Sequence, residues 1–330
     1  MKAFIIGLGS IGKRHAINLS KLGVMVVGFD PREDRREEFL QELKNVQVVD
    51  DLSSGFSLGC DMVVVASPSE FHYDQCLMAV NAGSHVLVEK PLATKNDSSG
   101  LLLQALNSKK KCLMMGSNWK FHPGPIKLKE IIDGGEIGKI LAFQVIGGQY
   151  LPDWHPWEDY RDMYSARVEL GGGILLDNHE IDLITWLLGS AHKVNCRSTT
   201  TGSIEINTED LVCITMELRS GVIGTLQLDY LQRPCARRIH LTGSEGIAIW
   251  DYMGNEVTCY TNKHGKWSAW KNPLGYQLNN MYMDEMKHFL DCIKYNKDPM
   301  TSVIQALHVL SIINAAKSSA ANFGRTERAI

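Results

Sequence analysis

The spacing of three glycines near the start of this chain constrains its fold more than any other feature. Gly7, Gly9 and Gly12 form G-x-G-x-x-G directly after the apolar run Lys2–Ile6 and before an amphipathic stretch reaching Leu22. A strand, a glycine turn and a helix in that order open a βαβ unit. Gly7 permits the tight turn, Gly9 lets backbone approach a ligand, and Gly12 lets the helix pack close to the strand. Ser10 and Ile11 begin that helix, whose N-terminus offers N–H groups and the positive end of its dipole to a phosphate.

The same rhythm continues to about Gly116. Short apolar runs at Val24–Phe29, Val46–Val49, Met62–Ala66, His85–Glu89 and Cys112–Met115 alternate with helical patterns such as Glu70–Ala82 and Ser98–Asn107. Met62–Ala66 is nearly all valine, as a strand buried on both faces requires. The repeat predicts an α/β domain, a doubly wound parallel sheet, over residues 1-120. Residues 121-330 read differently. A helix at Ile126–Asp133 and a strand at Lys139–Gly148 lead into an irregular aromatic segment, then a helix beginning near Asn178. From Lys193 strands follow one another: Lys193–Thr199, Leu211–Leu218, Val222–Leu231, Arg237–Thr242, Ile247–Asp251 and Glu256–Thr261. Their alternation predicts a large, open, mainly antiparallel meander, with two closing helices, Asn279–Tyr295 and Ser302–Ala320, as its cover.

At 330 residues the chain is long enough for two domains. Its net charge of -3 supplies no basic field for nucleic acid or an anionic membrane. No apolar run approaches the roughly 18 residues of a membrane helix, and nothing reads as a secretory signal, so a cytoplasmic protein is expected. The 8 cysteines are scattered singly without a C-x-x-C pair, which predicts reduced, buried thiols and no metal.

Asp30 ends the second strand, where a carboxylate can hydrogen-bond an adenosine ribose diol and disfavour a 2′-phosphate. That favours NAD, while Arg32, Arg35 and Arg36 keep NADP open.

A wider set of motifs joins Gly7-x-Gly9-x-x-Gly12-x-x-His15: Ala66-Ser67-Pro68-x-x-x-His72, Glu89-Lys90-Pro91, Phe121-His122-Pro123 and Gly171-Gly172-Gly173 followed by His179-Glu180-Ile181-Asp182. Together they resemble the glucose–fructose oxidoreductase, inositol dehydrogenase and rhizopine-catabolism family over most of the chain. The resemblance implies an N-terminal Rossmann domain, a C-terminal α/β domain with a large open sheet, and a nicotinamide cofactor between them. It also implies hydride transfer at a hydroxyl or ketone of a sugar, cyclitol or sugar-acid derivative, by a homodimer or homotetramer formed through the C-terminal sheet. Two rival readings use the same scaffold: a glycoside hydrolase that retains its NAD, and a non-catalytic dinucleotide-binding regulator.

Under that resemblance Ser67, Pro68, His72 and Glu89 line the cofactor. Lys90, at the carboxyl end of a parallel strand, stabilises charge developing on the reacting oxygen. Histidine as a side-chain type titrates near neutrality, so His179 can move the hydroxyl proton. His179, Asp182 and Trp186 share one helical face, so Asp182 can orient the imidazole. Many relatives carry an aspartate four residues before the histidine; Leu175 stands there, and Asp177 lies two before. Asp177 therefore reads either as catalytic or as a helix cap reciprocated by Glu180. Asn118, Tyr150, Trp154 and Trp157 are the expected substrate contacts, the aromatics offering flat faces to a sugar ring. Arg161 and Arg167 suit an anionic group on that sugar.

Overall fold

The computed structural model describes residues 1–93, 99–156, 158–177 and 179–329. The chain forms two compact units, Met1–Asn118 with Leu278–Leu310, and Trp119–Gln277 with Ser311–Ile330.

In the first unit, strands β1 (Lys2–Ile6), β2 (Met25–Phe29), β3 (Gln47–Val49), β4 (Met62–Val65), β5 (His85–Val88) and β6 (Leu113–Met115) make one parallel sheet. Helices α1 (Ser10–Lys21), α2 (Glu33–Glu42), α3 (Leu52–Ser57), α4 (His72–Asn81) and α5 (Ser99–Lys109) connect them. The strand order β3-β2-β1-β4-β5-β6 reverses direction between β1 and β4. That switch point opens a crevice at the carboxyl ends of the strands. All four residues of β4 are buried, as the valine run requires. Fully burying one such side chain contributes about 1.5–3 kcal/mol.

The second unit starts with α6 (Pro123–Asp133), β7 (Ile140–Gly148) and α7 (Glu180–Leu188). Four short 3-10 turns occupy the aromatic segment between β7 and α7. Strands β8 (Ala191–Thr199), β9 (Leu211–Leu218), β10 (Ile223–Asp229), β11 (Ala236–Gly243), β12 (Gly246–Asp251), β13 (Glu256–Thr261) and β14 (Lys266–Lys271) follow. Helices α8 (Asn279–Tyr295) and α9 (Val303–Ala321) and a final strand β15 (Glu327–Arg328) close the chain.

Three expectations need correction. The nine-stranded sheet runs β14-β13-β12-β11-β7-β10-β9-β8-β15, so it is not a simple meander. Strand β7 lies between β10 and β11, parallel to the first and antiparallel to the second. With both its backbone edges paired, β7 sits at the centre, and the edges fall to the lysine-flanked β14 and the two-residue β15. Short or charged edges discourage unwanted strand pairing.

The closing helices are not simply a cover for this sheet either. Met286 and Phe289 of α8 join Leu19 and Ala16 of α1 in the first unit's core, and Ala306 of α9 packs with Val63 and Val86. Only the later part of α9, from Ser311, belongs with the second unit. Nor are all thiols buried: Cys213 is exposed, and Cys112 and Cys235 are half-buried. Among the described residues no helix is long and apolar enough to cross a membrane.

Candidate active site

The first unit presents its site residues where its strands end. Gly7 adopts φ +92, a left-handed backbone open chiefly to glycine, and a Cβ there would meet the Ala66 carbonyl oxygen at 2.5 Å. A Cβ on Gly12 would lie 1.9 Å from the Gly7 oxygen. Gly9 is different: a Cβ there would meet only the Arg35 Nη1, at 3.9 Å. Gly7 and Gly12 are thus needed for the turn itself, whereas Gly9 leaves open space above it.

Helix α1 starts from Gly9 without a side-chain cap and without an acidic residue in its first turn. By contrast, Asp51 caps α3 through the Ser54 amide. Unanswered N–H groups, a positive dipole end and open space fit the pyrophosphate of a dinucleotide. The two Asp30 carboxylate oxygens accept the Leu8 and Arg32 amides at 2.9 and 3.0 Å, which fixes the carboxylate beside the glycine turn. Arg32 instead turns its guanidinium outward to Asp34, and Arg36 binds the carbonyls of Asp30 and Pro31. Of the three arginines, Arg35 is the one beside Gly9.

Ser67, Pro68, Glu89 and Lys90 follow the ends of β4 and β5. Ser67 donates its hydroxyl to Gln75 at 2.6 Å. Buried His15 sits 2.7 Å from the Glu89 carboxylate through Nε2. Burial pushes the Glu89 carboxyl up, but the hydrogen bond and charge of His15, with Lys90 and His72 nearby, prevail and hold it below the usual glutamate value. The charged Glu89 immediately precedes Lys90 at the end of β5. Gly116 makes room for it, since a Cβ there would meet the Glu89 carboxylate at 3.2 Å.

His72, expected at the cofactor, is buried between two backbone carbonyls. It is 1% exposed, with Nδ1 2.8 Å from the Pro91 carbonyl and Nε2 2.7 Å from the Ser67 carbonyl. It ties the turn after β4 to the turn after β5, a positioning role. Asn118, 5% exposed, carries an Nδ2 with no hydrogen-bond partner among the described residues. A buried, unanswered amide is costly unless a ligand or water meets it.

In the second unit, His179 precedes α7 as its cap residue. Its backbone N–H donates to Glu180 Oε2 at 2.9 Å, and its ring meets Trp119 edge-on at 6.3 Å between centroids. Glu180 is buried and pairs with Arg237 at 2.7 Å. Burial raises the Glu180 carboxyl, but Arg237 and the His179 amide outweigh it and hold it low. Asp182 accepts from the fully buried Lys120 at 2.7 Å. Lys120 and Arg237 were not singled out in the sequence. Nothing in sequence spacing links β11 to α7, although the acidic first turn of α7 could have signalled a need for buried cations.

Asp177 does not cap α7, which starts at Glu180 with no side-chain cap. Its carboxylate accepts the Tyr164 and Ser165 hydroxyls, each at 2.6 Å, and the Tyr230 hydroxyl at 3.3 Å. Burial and the Asp177 charge push the Tyr230 phenol well up, so it remains a donor. Asp177 therefore anchors the aromatic segment to the strand end beyond β10. Trp154 stacks edge-on against Tyr230 at 5.4 Å, and Arg233 covers the Tyr150 ring at 3.5 Å. Trp157 lies outside the described residues.

Both arginines expected to meet an anionic group answer carboxylates of the protein in this structure. Arg161 pairs with Asp159 and Glu205, and Arg167 with Asp162. Glu169 and Glu205 line the same open groove as the two arginines.

Residues 1–117 match the family model described as an oxidoreductase family with an NAD-binding Rossmann fold. Residues 129–325 match the model of that family's C-terminal alpha/beta domain, abbreviated Gfo/Idh/MocA. The chain belongs to the Gfo/Idh/MocA oxidoreductase family. Among members, it is 25% identical to a myo-inositol 2-dehydrogenase of Thermotoga maritima over 97% of this chain and 96% of that one. It is 33% identical to a levoglucosan dehydrogenase of Pseudarthrobacter phenanthrenivorans, over 58% of this chain and 55% of that one. A solved levoglucosan dehydrogenase in complex with NADH shares the fold at TM-score 0.91 and 20% identity, over 100% of this chain and 99% of that one. As a Gfo/Idh/MocA member the chain is an NAD-binding oxidoreductase.

Proposed function

We propose that this protein is an NAD-dependent dehydrogenase or reductase acting on a hydroxyl or ketone of an uncharged sugar or cyclitol. The observation that carries the reading is Lys90, next to the charged Glu89 at the carboxyl end of β5, on the same sheet edge as the uncapped N-terminus of α1. When bound, NAD supplies the hydride acceptor. Lys90 donates a hydrogen bond to the reacting oxygen and stabilises its negative charge. His179 takes the hydroxyl proton, and gives it back in the reverse direction. Asn118 donates its unanswered amide to the ligand, and Tyr150 and Trp154 offer apolar faces to ring C–H groups. The carboxylates around Arg161 and Arg167 support a neutral polyol over a sugar acid. Inositol and levoglucosan, named for the relatives, are of that class.

The outer face of the nine-stranded sheet supports self-association. Trp267, Tyr260, Ile247, Thr242, Ala142 and Ile223 form one cross-strand row opposite the buried Phe143 and Val145. Ile223 and Trp267 are 52% and 54% exposed. A second copy laid on this row would complete a homodimer or homotetramer.

The test is NADH formation with a panel of neutral cyclitols and sugars beside their uronic acids. Lys90→Met and His179→Ala should each lower kcat by about 10²-fold or more while NADH affinity holds. Wild-type turnover in either variant, or preference for the acids, would overturn the reading.

A further inference from the structure

We infer that Arg237 is a positioning residue for His179, a role that rests on the proposed proton transfer by that imidazole. The inference starts from β11, which carries Arg237 directly across from Gly147 of β7. Arg237 Nε donates to Glu180 Oε1 at 2.7 Å, and the guanidinium carbon lies 4.0 Å above the centre of the Trp119 ring. Each of those partners then reaches His179. Glu180 accepts the His179 backbone N–H through its other oxygen, and Trp119 meets the imidazole edge-on.

His179 is therefore supported at its backbone by a carboxylate and at its ring by an indole, and both supports meet on one guanidinium. Only a planar fork can do this. Its edge binds the carboxylate while its face covers the indole, whereas a lysine ammonium keeps the charge and loses the face.

The surroundings fit such a purpose. Gly147 has no side chain where one would strike Glu180, since a Cβ there would lie 2.6 Å from its carboxylate carbon. Lys120 holds Asp182 from another side, so the first turn of α7 is clamped by two cations. A short helix of nine residues gains a fixed starting point from these pairs. A proton carrier displaced by even 1 Å loses much of its rate, which is why such a support matters.

The test compares Arg237→Lys, Arg237→Gln and the double variant Glu180→Gln/Arg237→Gln, with His179→Ala as reference. NADH titration counts cofactor-binding sites, and kcat is expressed per site, so unfolded protein does not enter the result. All three should bind NADH and substrate within about twofold of wild type, yet turn over about 10-fold slower or worse. Arg237→Lys should recover melting temperature without recovering kcat. If Arg237→Gln fails to fold, the double variant, which faces two amides across the same gap, decides the matter. Wild-type kcat per site in folded Arg237→Lys or in the double variant, with His179→Ala inactive, would overturn the inference alone. Wild-type kcat in His179→Ala would instead overturn the proton-transfer reading beneath it.

Discussion

Three glycines of one motif do separate jobs at the residue scale, and each job has its own measurable consequence. Gly9 has an ordinary φ of -68, so alanine fits its backbone, and a methyl there meets nothing of the protein closer than 3.9 Å. Gly9→Ala should therefore melt like wild type while weakening NADH binding about 10-fold or more, because the methyl occupies the approach of the pyrophosphate. Gly12→Ala drives a methyl to 1.9 Å from the Gly7 oxygen, so backbone must move. It should lower the melting temperature by several degrees as well as affinity. Equal melting of both variants, by calorimetry, would contradict this division. His72 shows the reverse lesson. A histidine in a binding motif looked like a ligand contact, but its burial and two carbonyl neighbours make it a tie between loops.

Helix α6 gives the clearest prediction at the element scale. Its cap is the His122 imidazole, whose Nδ1 accepts the Gly124 N–H at 3.1 Å. Only the neutral ring has that lone pair. Burial and the Arg237 charge push the His122 pKa down to about 4. In the unfolded chain the ring returns to about 6.5, so between those values the unfolded state binds the extra proton. The stabilisation is complete above about pH 6.5, falls as pH drops, and is gone near pH 4, a loss of up to about 3 kcal/mol. His122→Asn keeps an acceptor that does not titrate. Its melting temperature should fall less than that of wild type between pH 7 and pH 4.5. Identical losses would show that the cap does not titrate in this window.

At the scale of the whole molecule, the cross-strand row on the nine-stranded sheet leaves large apolar side chains such as Ile223 and Trp267 exposed. Charge placed in its middle should separate the copies. Ile223→Glu, at a position 52% exposed, should sediment as a monomer where wild type sediments as a dimer or tetramer. A monomeric wild type would remove this surface from the reading.

Local chemistry made much of this protein legible from its sequence. The strand-glycine-helix start, the valine run of β4 and the alternating strands identify the two kinds of sheet, because each depends on residues a few positions apart. The same locality placed Lys90 at a strand end and His179 beside a helix start. Tertiary structure alone decided what joins distant segments. It put β7 between β10 and β11, sent α8 back to the core of the first unit, and gave Asp177 to three hydroxyls rather than to a helix end. It also matched Arg161 and Arg167 with carboxylates and brought Arg237 to Glu180. The reason is physical. Secondary structure follows from nearest-neighbour sterics and periodic burial, whereas a buried charge takes whichever opposite charge the folded chain carries to it.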